Sequence, residues 1–287
     1  MLDNILALGA QPSGYAELID LNIQTYDNPA EQIPYLGKWV TTKPITLGTR
    51  SSPSLERLTQ LKPDIILGEH WFNKDEYSLL NQIAPTVLLD DMADPDKPQS
   101  WQQNIEGVAQ ALGRQAQAKE LLATYDQKIA QARKTLDPVL QAHPRVLLLD
   151  SDFSSYLRLR TGNNTTVGRL LKDIGFEIVQ VADAQGELQD ISWETLPQVK
   201  ADIVILMYVY DSVDDFFERP DLSQKQWTER PILESMPAVQ QGRLLFVDRY
   251  LWSGVTRGPL SDQLILEALP DLLLPTVSET LEAQPSA

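Results

Sequence analysis

The chain has 287 residues, 43% of them apolar and 22% charged, with a formal net charge of -16. That length can bury cores for two lobes of ordinary domain size, and the acidity excludes a phosphate-neutralising nucleic-acid surface and opposes anionic lipid. There is no cysteine and there are two histidines, His70 and His143, which excludes disulfides, thiolate catalysis and multi-histidine metal sites.

No run of about 18 apolar residues suggests a membrane-spanning helix. The opening Met-Leu-Asp-Asn-Ile-Leu-Ala-Leu-Gly has neither a basic n-region nor a long h-region, so it does not read as a signal peptide. In the first half, Ile45–Gly48, Asp64–Gly68 and Thr86–Asp90 read as strands. Helices are expected near Ser54–Leu61 and Lys74–Ile83. One long helix is expected over about Gly113–Leu136, because Ala118, Leu122, Tyr125, Ile129, Ala132 and Leu136 form a continuous apolar stripe. At 1.5 Å per residue it would be about 35 Å long, enough to run along two lobes. Asp137-Pro138 ends it. In the second half, Arg145–Asp150, Phe176–Val179, Asp202–Met207 and Leu244–Val247 read as strands. Helices near Thr165–Ile174, Ser192–Val199 and Pro259–Leu269 alternate with them. Such alternation argues for parallel α/β sheets. The tail after Pro275 reads as disordered.

An internal repeat supports two similar lobes. SLERLTQLKPDIIL (54–67) aligns without gaps on SWETLPQVKADIVI (192–205), matching Ser54/Ser192, Glu56/Glu194, Leu58/Leu196, Gln60/Gln198, Lys62/Lys200, Asp64/Asp202 and Ile65/Ile203. Each copy reads as a short helix with a serine N-cap, followed by a strand buried on both faces. The expected organisation is an N-terminal lobe over 1–112, a connecting helix over 113–137, a C-terminal lobe over 138–275 and a disordered tail over 276–287.

Several segments, taken in this order, resemble the siderophore-binding branch of the periplasmic binding proteins. They are LALGAQPSG (6–14), LGTRSSPSLERL with LKPDIILG (47–68), LLNQIAPTV (79–87), TVGRLLKDIGF (166–176), and Trp252 with Gly258-Pro259-Leu260. The resemblance covers about residues 2–272. It implies two Rossmann-like lobes joined by a single long backbone helix, the class III periplasmic binding protein architecture. It further implies a monomer outside the cytoplasmic membrane, periplasmic or lipid-anchored, that carries a ferric siderophore of the hydroxamate or citrate type to an ABC permease dimer. Iron would travel inside the chelate, so no resident cofactor is implied. In that family a strand precedes the LALGAQPSG helix. Here the chain opens at the helix, so the first lobe is expected to lack that strand.

Ligand sites in open α/β sheets lie at the carboxyl ends of strands. Those ends carry Arg50, Trp71, Tyr156, Arg158, Tyr208, Tyr210, Arg249, Trp252 and Arg257. Aromatic faces and guanidinium groups suit a large, partly apolar, anionic chelate. Packing aromatics and solvated arginines are the plainer reading of the same residues. By resemblance, Glu56 and Glu194 dock onto permease arginines; helix-dipole stabilisation would equally explain acidic residues in a first turn. His70 stands alone and is not read as an iron ligand. Asp90-Asp91 and Asp150-x-Asp152 are read as loop caps. With no nucleophile elbow, Walker loop or dinucleotide fingerprint, the chain is expected not to be an enzyme. A cobalamin or haem binder of the same architecture is the nearer alternative, and a metal-dependent α/β hydrolase the distant one.

Overall fold

The computed structural model describes residues 1–89, 100–151, 157–160, 166–180, 188–208, 231–253 and 258–277. The chain is an α/β protein of two units, Met1–Tyr125 with Thr256–Ser261, and Asp126–Val255 with Asp262–Ala287.

The first unit contains α1 (Leu2–Ala7), β1 (Gly14–Glu17), α2 (Pro29–Gln32), β2 (Ile45–Thr49), β3 (Ser52–Pro53), α3 (Leu55–Leu61), β4 (Ile66–Glu69), α4 (His70–Asn73), α5 (Tyr77–Ile83), β5 (Thr86–Leu89) and α6 (Trp101–Leu112). Its strands fall into two sheets. One has the order β1-β2-β3, with β1 and β2 parallel; the other pairs β4 with β5 in parallel. Leu2, Leu6, Tyr15, Tyr26, Ile33 and Leu36 form a buried cluster under the first sheet.

The helix expected near Lys74–Ile83 is α5, which begins at Tyr77, and the short α4 before it carries no sequence signal. Asn73, the last residue of α4, separates the two. Its Oδ1 accepts the Glu69 N–H at 3.3 Å and its Nδ2 donates to the Arg50 carbonyl at 2.8 Å. That local side-chain pairing competes with helix continuation.

The long helix is α7 (Gln115–Thr135), which begins in the first unit and ends in the second. Its expected stripe is real: Ala118, Tyr125, Ala132 and Leu136 are buried, and Leu122 and Ile129 are half-buried. At 1.5 Å per residue its 21 residues span about 32 Å.

The second unit contains α8 (Asp137–Ala142), β6 (Arg145–Ser151), β7 (Leu157–Arg160), α9 (Thr166–Ile174), β8 (Glu177–Ile178), β9 (Leu188–Asp190), β10 (Ile203–Tyr208), α10 (Pro231–Glu234), α11 (Pro237–Gln240), β11 (Leu244–Asp248), α12 (Arg249–Trp252) and α13 (Pro259–Leu273), whose first turn belongs to the first unit. The sheet order is β11-β10-β6-β7-β9, with β8 on the first residues of β6. β6, β8, β10 and β11 are parallel; β7 runs antiparallel to β6. Val146–Leu149 and Ile203–Met207 are completely buried, as continuous apolar runs in a parallel sheet must be.

The second repeat copy is a 3-10 helix, Trp193–Gln198, where α3 is an α-helix. Pro197 lies inside it, and proline has no N–H for an α-helical bond. Both copies keep the serine cap: Ser54 accepts from the Arg57 N–H and Ser192 from the Glu194 N–H.

One contact ties the two ends of the chain. Asp3 is fully buried and accepts from the Leu260 N–H at 2.9 Å, the Ser261 N–H at 2.8 Å and the Ser261 hydroxyl at 2.5 Å. It thereby satisfies N–H groups in the first turn of α13 that have no partner within the helix. Burial pushes its carboxyl pKa up, opposed by those hydrogen bonds. Gly258 leaves it room, since a Cβ there would lie 2.4 Å from Asp3 Cγ. Gly258→Ala should therefore cost about 1–3 kcal/mol in urea unfolding. Parental stability would show that Asp3 can step aside without loss.

Candidate functional site

The first unit presents the carboxyl ends of β1, β2 and β4. β1 ends at Glu17, whose carboxylate is fully buried and so needs partners. The Tyr15 hydroxyl donates to Oε2 at 3.0 Å, the Leu18 N–H to Oε1 at 2.6 Å, and Arg50 Nη2 to Oε1 at 3.4 Å. Burial, and then the Glu17 charge, raise the Tyr15 pKa well above its ordinary value; the same two causes push Tyr26 up to about 12. Arg50, expected at a ligand, is thus drawn onto Glu17. The exposed apolar groups here are Leu18, directly after β1, and Trp71 in α4, 58% exposed directly after β4. Trp71 stands where the sequence places it. Glu17 and Leu18 carry no sequence signal that marks them, because β1 is a four-residue strand containing glycine and glutamate.

The second unit presents the carboxyl ends of β6, β10 and β11. Asp150 lies near the end of β6 and is fully buried. Arg160 Nη2 and Nε reach its Oδ2 at 2.7 and 3.2 Å, and Arg249 Nε reaches Oδ1 at 2.9 Å and Oδ2 at 3.1 Å. Arg160 Nη1 also donates to the Ser253 carbonyl at 3.1 Å. Asp150 is therefore no loop cap but the anchor of two arginines. Those arginines arrive differently. Arg160 sits on β7, where Leu157 and Leu159 alternate into the core, so Arg158 and Arg160 belong to a strand and not to a loop. Arg249 opens α12, with its side chain 29% exposed. Its described hydrogen bonds all run through Nε, and its two Nη groups carry none of them.

Of the other expected contacts, Arg158 pairs with Asp190 at 2.6 Å. Tyr208 ends β10, half-buried, in register with Asp248 and Ser151. Trp252 is buried at 5% exposure and packs as core in this conformation. Tyr156, Tyr210 and Arg257 lie outside the described residues, as do Asp90, Asp91 and Asp152. Glu56 is exposed in the first turn of α3 and accepts from Gln60 at 3.1 Å. Glu194 is exposed and accepts from the Ser192 hydroxyl. His70 is exposed and His143 buried. Among the described residues no group of three His, Asp or Glu could hold a metal ion.

Both units are α/β, with polar and aromatic residues at strand ends. The chain belongs to the periplasmic binding protein family, which matches it over residues 14–251. It is 27% identical over 268 residues to the lipoprotein YhfQ of Bacillus subtilis, covering 88% of this chain and 74% of that protein. It is 26% identical over 256 residues to the Fe(3+)-citrate-binding protein YfmC of the same organism, covering 88% and 71%. The fold matches the crystal structure of Staphylococcus aureus SirA complexed with staphyloferrin B at a TM-score of 0.73 and 22% identity, covering 95% and 89%.

Asp248 caps α12 by accepting the Tyr250 N–H at 2.8 Å. Burial raises its pKa from 3.8 to about 6, against that hydrogen bond. A carboxyl whose folded pKa is raised binds its proton more tightly in the folded state, so its contribution to stability falls as pH rises between those values. Asparagine can keep the cap without the charge. The melting temperature of Asp248→Asn should match the parent below about pH 4 and exceed it above about pH 6. Parallel curves across that range would place the titration elsewhere.

Proposed function

We propose that this chain is the substrate-binding component of an ABC importer that captures a ferric siderophore of the hydroxamate or citrate type and hands it to a permease dimer. It acts outside the cytoplasmic membrane, free or lipid-anchored, and leaves its ligand chemically unchanged. The observation that carries this reading is the cluster at the end of β6. Asp150 holds both Arg160 and Arg249, and the described hydrogen bonds of Arg249 run only through Nε, in a protein of net charge -16. A guanidinium held in this way draws an anionic ligand, and guanidinium groups match carboxylate and metal-bound oxygens. On the first unit, Trp71 and Leu18 are exposed apolar groups at strand ends. Arg50, Tyr156, Arg158, Tyr208, Tyr210, Trp252 and Arg257 complete the proposed contact set. The ligands in the names of YfmC and the SirA complex point the same way.

Ferric citrate or a ferric hydroxamate should quench tryptophan fluorescence with micromolar affinity or better, about 8 kcal/mol. Arg249→Ala should weaken binding at least about tenfold, roughly 1.4 kcal/mol, and Arg249→Lys less, because lysine lacks the bidentate fork. The ligand should be recovered intact. Tight binding of cobalamin or haem, with no response to any ferric chelate, would replace this assignment.

Docking rests on the repeated acids. Reversing Glu56→Arg and Glu194→Arg together should abolish uptake through the cognate importer, since like charges would meet across the contact. Ligand affinity and melting temperature should barely change, because both residues are exposed. Each single reversal should give a partial defect. Normal uptake in the double variant, with a slightly lower melting temperature, would leave the two acids a purely helix-stabilising role.

A further inference from the structure

Three side chains and one carbonyl close a ring of hydrogen bonds at the end of β6 in the second unit. Arg160 gives Nε and Nη2 to Asp150 Oδ2 at 3.2 and 2.7 Å, and Nη1 to the Ser253 carbonyl at 3.1 Å. The Ser253 N–H reaches back one turn to the Arg249 carbonyl at 2.9 Å. Arg249 Nε closes the ring on Asp150, at 2.9 Å from Oδ1 and 3.1 Å from Oδ2. Both ends of α12 are thereby pinned to one carboxylate. The two arginines differ in what they have left to give. All three nitrogens of Arg160 donate within the protein, and its side chain is 4% exposed. Arg249 is 29% exposed, and its described hydrogen bonds use Nε alone.

A carboxylate accepts about four hydrogen bonds and pairs most strongly with an arginine that brings two parallel N–H groups. Left alone with Arg249, the buried Asp150 would take that fork, and the Nη groups would turn inward. Arg160 opposes this by filling Oδ2 with two donors, so that Arg249 meets the carboxylate through Nε. We propose that Arg160 is a positioning residue for ligand capture. It touches no ligand itself. It keeps the Nη groups of Arg249 off Asp150 and turned toward an anionic chelate, and its hold on Ser253 fixes the helical turn that carries Arg249. This role rests on the reading of Arg249 as a ligand contact.

Two measurements test it, one without ligand and one with. In the ligand-free full chain, NMR of isotope-labelled arginine reads how fast the Arg249 Nη protons exchange with water. Arg160→Gln should slow that exchange at least about tenfold, because the fork closes on Asp150. Ferric citrate affinity should fall at least about tenfold in Arg160→Gln, and less in Arg160→Lys, whose ammonium keeps the charge but lacks the planar fork. In an Arg249→Ala background the same Arg160 changes should cost less than about twofold, since residues that act through one another are not additive. Arg160→Lys carries the whole comparison if Arg160→Gln does not fold. Additive losses would overturn the proposal by giving Arg160 a ligand contact of its own. Unchanged affinity with a lower melting temperature would also overturn it, leaving Arg160 a structural role alone. Unchanged Nη exchange would do so whether or not a chelate binds. A parent chain that binds no ferric chelate would instead remove the functional reading, and the exchange measurement would still decide whether Arg160 positions Arg249.

Discussion

A carboxylate sealed from water inside a sheet costs several kcal/mol unless it is paired and hydrogen-bonded. Asp150 meets that constraint by recruiting an arginine from each of two other elements. Arg160 comes from β7 and Arg249 from the junction of β11 and α12. Because Arg160 also holds the Ser253 carbonyl, the carboxyl ends of β6, β7 and β11 become one hydrogen-bonded assembly. The arrangement fixes the guanidinium of Arg249 against Asp150.

The two units solve the same problem differently. In the first, Glu17 takes a single arginine, and the pair is neutral; what remains exposed beside it is Leu18 and Trp71. In the second, one acid holds two arginines. The difference arises within a shared architecture, since the repeated helix-to-strand unit occurs in both halves with its serine cap intact.

The fold was legible wherever burial on both faces imposed a continuous apolar run, as in β6 and β10, or where a helical stripe ran unbroken, as in α7. It was not legible where the signal was short or mixed. β1 reads Gly-Tyr-Ala-Glu, and β7 reads Leu-Arg-Leu-Arg, a clean alternation only four residues long. α6 did carry signals that could have been used: a Ser100–Gln103 capping box and Gly113 in a left-handed cap. The arginines of the site were visible as residue types at strand ends. Their partners were not, because nothing local distinguishes a capping aspartate from one whose partners lie 10 and 99 residues away.

The clasp between Asp3 and Ser261 spans 258 residues of sequence, and Thr256–Ser261 belong to the first unit. The ribosome therefore makes most of the second unit before it makes the last piece of the first. Until residue 261 emerges, the buried Asp3 has none of its hydrogen-bond partners in α13. Domains usually fold in the order they are made; here the second unit also takes in Asp262–Ala287, so both units draw on the last stretch of chain to leave the ribosome. Each half gains its full set of contacts only when synthesis is nearly complete.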